Sequence, residues 1–101
     1  MLANSLIEIF ERDLNTLKKE IESYADESKL WLTAPGINNS AGNLCLHVTG
    51  GLRYFIGAVL GQSGYVRNRD AEFAIKNIPK AELIQGIEEA MRVIPQTLSR
   101  I

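Results

Sequence analysis

Two long segments with apolar residues at steps of three and four constrain this chain more than anything else in it. In the first, Leu6, Phe10, Leu14, Leu17, Ile21 and Tyr24 share one helical face, while Glu8, Glu11, Arg12, Lys18, Lys19 and Glu22 fall largely on the other. That spacing predicts a helix over about residues 4–25, with Asn4 or Ser5 able to cap its start. In the second, Ile84, Ile87, Met91, Ile94, Leu98 and Ile101 recur without a miss, predicting a helix over about 80–101 that follows Pro79 and contains Pro95. No segment alternates with the period of a strand. The expected fold class is therefore all-α, one helical-bundle domain over residues 1–101.

A helix between these two, the second in chain order, is expected over about 40–61, capped by Ser40 and stopped by Gly61, with Ala41, Leu44, Val48, Leu52, Phe55 and Val59 as its core-facing stripe. Gly50-Gly51 lies in its middle, where each glycine costs about 1 kcal/mol relative to alanine. The compensation is either close approach of a neighbouring helix or room for a ligand beside the backbone. Between the first two helices, Pro35-Gly36 is the strongest break, and Leu30-Trp31-Leu32 is an apolar triplet suited to plugging one end of the core. Stacking of Trp31 on a cofactor is the alternative.

Charge and cysteine content exclude several functions. Eleven Lys plus Arg stand against 12 Asp plus Glu, a formal net charge of -1, whereas a dedicated nucleic-acid binder needs a cationic surplus. The single cysteine, Cys45, makes neither an internal disulfide nor a Cys-rich zinc site. No apolar run approaches the roughly 20 residues of a membrane helix, and the N-terminus lacks the pattern of a secretory signal. A cytoplasmic protein with no membrane or nucleic-acid partner is the expectation.

His47 is the only histidine. Asn43, Gly50, Gly51 and Tyr54 flank it at helical spacing, forming a polar strip beside the apolar stripe. This places the imidazole at the edge of the bundle interior or in a cleft, either as a hydrogen-bonded structural residue or as a metal ligand or general base. The connection over 61–79 exceeds the roughly 12–15 residues usual for a structureless loop, and long connections often carry function. In it Arg67, Arg69, Asp70 and Glu72 interleave with Tyr65, Val66 and Phe73. These charges either pair with one another in water, or fold back over the helices with Phe73 buried as the anchor.

Two stretches together resemble a known family. Residues 39–50, Asn-Ser-Ala-Gly-Asn-Leu-Cys-Leu-His-Val-Thr-Gly, resemble the second-helix motif of the DinB-like (YfiT-like) putative metalloenzyme superfamily. Arg67-Asn68-Arg69-Asp70-Ala71-Glu72-Phe73 resembles the Arg-x-Arg-Asp-x-Glu-Phe loop of one uncharacterised branch. The resemblance implies an up-down four-helix bundle, often dimeric, with zinc or nickel held by three histidines and a low-molecular-weight thiol as substrate of transferases and isomerases. One ligand would be His47. The late His-x-x-x-His pair is missing here, as is the segment for a fourth helix, so that helix is expected to be absent or supplied by a second chain. The expectation is a chain that is not catalytic by itself, and that pairs as a two-fold dimer to cover a seam left open along helices one and three or two and three. A dimerisation or small-molecule-binding module with a structural His47 is the alternative.

Overall fold

The structure, a computed structural model, describes residues 2–33, 35–36 and 39–100. Its first amphipathic segment forms α1, Leu2–Glu22, with Leu14 and Ile21 buried and Leu6, Phe10, Leu17 and, just past its end, Tyr24 packed against the core. A 3-10 turn over Glu27–Trp31 follows, started by Asp26, whose side chain accepts a hydrogen bond from the Ser28 N–H. Leu30 and Trp31 are buried as a plug, while Leu32 turns to solvent. The Trp31 ring lies flat against Gly42, where any Cβ would stand 2.8 Å from ring carbons.

α2 covers Ala41–Leu52 and continues as a wider π-helix over Arg53–Leu60. Ser40 caps it by accepting from the Asn43 N–H. A six-residue helix, α3 (Arg69–Ala74), lies inside the long connection, which the sequence reading treats as largely non-helical. α4 runs over Lys80–Leu98 and passes through Pro95 for one more turn. Among the described residues there is no strand, so the fold is an all-α helical bundle. Ile101, the last residue of the sequence-predicted seam, lies outside the described residues.

Directions follow from the contacts. Lys80 Nζ donates to the carbonyls of Glu22 and Tyr24, and Lys18 stands 3.6 Å from Glu88, so α4 runs antiparallel to α1. Gly57 abuts Val93 and Gly61 abuts Thr97, so α2 with its π extension runs parallel to α4. A parallel pair needs a connection that returns the full length of the bundle. That is the physical reason for the long segment 61–79.

The face of α2 toward the core differs from the expected one. Gly42, Asn43, Cys45, Thr49, Gly50 and, in the π-helix, Gly57 are buried, whereas Leu44, Val48, Phe55 and Val59 of the expected stripe are exposed and only its Ala41 and Leu52 pack against the core. Close helix approach explains the inversion. A Cβ on Gly57 would lie 2.9 Å from Val93 and one on Gly61 2.5 Å from Thr97 Oγ1, so α4 is nearer than larger residues would permit. α4 supplies half of the buried apolar core instead, through Leu83, Ile87, Ala90, Ile94 and Leu98. It is gripped by α1 on one side and α2 on another, while α1 and α2 barely meet. The open seam thus lies between helices one and two, not beside the third as expected.

Cys45 is in the core, and burial pushes its thiol from 9.0 up to about 11. The folded state keeps this proton longer than the unfolded chain does. Its contribution to stability is therefore complete below about pH 9 and lost as pH rises toward 11. Urea unfolding at pH 8 and pH 10.5 is expected to show an alkaline loss on the order of 2 kcal/mol that Cys45→Ala lacks.

Candidate functional site

The site is built from loop residues folded onto the middle of α2. Arg67 reaches Glu72 with two parallel hydrogen bonds, Nε to Oε2 and Nη2 to Oε1, both 3.0 Å. Arg67 is 12% and Glu72 8% exposed, so water screens the pair little. The Glu72 carboxylate holds the Arg67 guanidinium still more firmly protonated than usual. Gly50 is the residue that makes room. A Cβ there would overlap the Glu72 carboxylate, so the mid-helix glycine makes room for a neighbouring helix, α3, through its buried acid. Gly51 leaves Arg67 Nη2 at ordinary contact distance from where its own Cβ would be.

His47 joins this pair. Its Nδ1 lies 3.3 Å from Glu72 Oε1 and 3.2 Å from Arg67 Nη2. One proton decides which contact is a hydrogen bond: Nδ1–H donates to the carboxylate, and a bare Nδ1 accepts from the guanidinium. Phe73 stacks on the imidazole with ring centroids 4.8 Å apart. Phe73 is half-buried rather than buried, because its role is to cover the His47 ring and not to fill the core.

A second set of bonds fixes the loop. Asn43 is fully buried; its Nδ2 donates to the carbonyls of Glu72 and Ile75, at 2.9 and 2.8 Å. Its Oδ1 accepts from Ser40 Oγ and Lys76 Nζ, both at 2.6 Å. Asn43 thus clamps the end of α3 to the start of α2, while Asn68 caps α3 by accepting from the Ala71 N–H. Arg53 lies over the Tyr65 ring, 4.2 Å from its centroid, and pins the earlier part of the connection.

Beside this cluster a cleft of about 850 Å³ opens between α1 and α2. Phe10, Leu14 and Leu17 form one wall, Val48, Leu52 and Phe55 the other, and His47, Gly51, Arg67 and Arg69 line it as well. Of the residues singled out in the sequence, His47, Gly51, Arg67 and Arg69 line the cleft, while Glu72, Phe73 and Asn43 support it from behind. Tyr54 and Asp70 do not join it: Tyr54 is turned out against the edge of Phe55, and Asp70 is exposed. Lys76, which donates to Asn43 from 33 residues away, escaped sequence reasoning because no spacing links the two, whereas the sequence marks Ser40 only as a cap.

Among the described residues no three of His, Cys, Asp and Glu come together as a metal-holding group. None of the described helices is long and apolar enough to cross a membrane.

The fold and site together define a helical bundle whose crossover loop is locked to the second helix by a part-buried Arg–Glu–His cluster. Residues 2–101 match the model of a family described as "Protein of unknown function (DUF1572)", a DinB-like family, and the chain belongs to it. No curated protein and no solved structure matches the chain.

Proposed function

We propose that this DinB-like protein is a ligand-binding bundle that pairs as a two-fold dimer and does not by itself perform the metal-dependent chemistry its wider relatives suggest. The observation that carries this reading is the unpartnered stripe on α2. Leu44, Val48, Phe55 and Val59 each keep about half of their surface in water, and they border the cleft wall. With that wall they amount to several hundred Å² of apolar surface, at or beyond roughly the 300–600 Å² of the largest patch on an ordinary monomer. A second copy laid along the stripe would remove it from water and roof both clefts, and two-fold pairing is the commonest closed arrangement.

The resemblance to thiol transferases and isomerases implies a three-histidine zinc or nickel centre, and the residues present do not fit one. His47 is the only histidine. The carboxylate beside it is engaged on both oxygens by Arg67, whose positive Nη2 stands 3.2 Å from the imidazole nitrogen. A catalytic zinc needs about three protein ligands. His47 is better suited to shaping the cleft wall, and a small thiol or another small molecule could lodge there without a metal.

Sedimentation at micromolar concentration tests the pairing. The expected species is about twice 11.2 kDa, and Phe55→Glu is expected to weaken association at least tenfold by placing a charge in the buried seam. A wild-type chain that sediments as a folded 11.2 kDa monomer overturns the pairing.

A further inference from the structure

We infer that the cleft between α1 and α2 binds a small amphipathic carboxylate, its apolar body lying between the two helices and its head group beside Arg69. The inference goes beyond the pairing proposed above and stands without it, because every residue it uses belongs to one chain.

The cleft is asymmetric in chemistry. Its walls are Phe10, Leu14 and Leu17 against Val48, Leu52 and Phe55, so water gains little by staying there. Cationic and N–H-bearing groups line the same space. Arg67 spends Nε and Nη2 on Glu72, leaving Nη1 without a partner among the described residues. Its guanidinium stands 5.8 Å from the Phe55 ring centre, which puts the polar groups next to the apolar wall. The His47 ring turns Nδ1 toward the Arg67–Glu72 pair, and the opposite ring edge, with Nε2, has no hydrogen-bond partner among the described residues. Arg69 is exposed, lines the cleft and makes no hydrogen bond or ion pair with any described residue.

Charge then selects the ligand. Arg67 is neutralised by Glu72, and Asp13, the one acidic residue of the lining, has Arg12 Nε 3.1 Å from its Oδ1. Arg69 is left as the one arginine of the lining without an ion-pair partner among the described residues. One unpaired guanidinium with further N–H groups nearby suits a monoanion, and a planar carboxylate matches the fork of Arg69. A phosphate dianion would ask for more positive charge than this. The apolar wall sets the length: from Phe10 to Leu17, α1 rises about 10 Å, roughly the span of an extended eight-carbon chain. An apolar pocket with a few polar groups at one side is the usual form of a small-molecule site.

Calorimetric titration of the full chain with octanoate, 1-octanol and octylammonium is the test, with backbone amide NMR shifts to locate binding. Octanoate is expected to saturate one site per chain, to bind at least tenfold more tightly than either comparator, and to shift amides of residues 10–17 and 47–56. Arg69→Ala is expected to remove most of that preference and Arg69→Lys to retain part of it, neither change touching the core. Equal binding of octanol, shifts scattered over the surface without saturation, or a preference unchanged in Arg69→Ala would each overturn the proposal. Sedimentation of the same samples reports the pairing separately, so the two readings fail independently.

Discussion

Glu72→Ala is expected to destabilise the protein by about 3–5 kcal/mol, the usual consequence of stranding one partner of a buried ion pair. Arg67 would lose both of its carboxylate bonds while only 12% exposed, with Phe55 and the backbone of α2 around it. A single domain is typically stable by about 5–15 kcal/mol, so the variant should melt far earlier and could be largely unfolded at 37 °C. Glu72→Gln keeps the shape and one acceptor but loses the charge, and a smaller cost, on the order of 2 kcal/mol, is expected. Urea unfolding followed by circular dichroism at neutral pH measures both. A loss under about 1 kcal/mol for Glu72→Ala would mean that Arg67 escapes to water and that the loop is held by other contacts.

Asn43→Ala is the second large effect, expected at about 3 kcal/mol. The change removes the side-chain donors to the Glu72 and Ile75 carbonyls, the only ones among the described residues, and takes the acceptor from Lys76. Each buried polar group left unpaired costs about 1–3 kcal/mol. Because Asn43 ties the crossover loop to α2, the loss should also be local. Hydrogen exchange over residues 67–79 is expected to speed up more than exchange in α1 and α4. Uniform acceleration across the chain would show that the loop and the bundle open together.

Helical periodicity reports burial faithfully only where the buried face is also the most apolar one. In α1 and α4 it is, so Leu14, Ile21, Ile87, Ile94 and Leu98 could be read as core residues from spacing alone. The Ser40 cap was equally legible, since a cap acts within one turn. In α2 the rule inverts: Gly57 and Gly61 admit α4 so closely that small residues take the core side, and Leu44, Val48, Phe55 and Val59 are turned out. No local pattern separates an apolar stripe that meets the core from one that awaits a partner.

The cluster divides in the same way. That Arg67, Glu72, Phe73 and His47 belonged to the interesting part of the chain was visible in their chemistry and in the family motifs. Which of them met was not. Glu72 reaches across 25 residues to His47, and its carboxylate occupies the space that Gly50 leaves, while Asp70, two positions earlier with the same charge, stays in water. The sequence by itself determined the all-α class, the approximate helices and the candidate residues, because those depend on interactions within a few turns. The tertiary structure alone decided the phase of α2, the parallel crossover and the pairing within the cluster, because each depends on how closely separate segments approach in space.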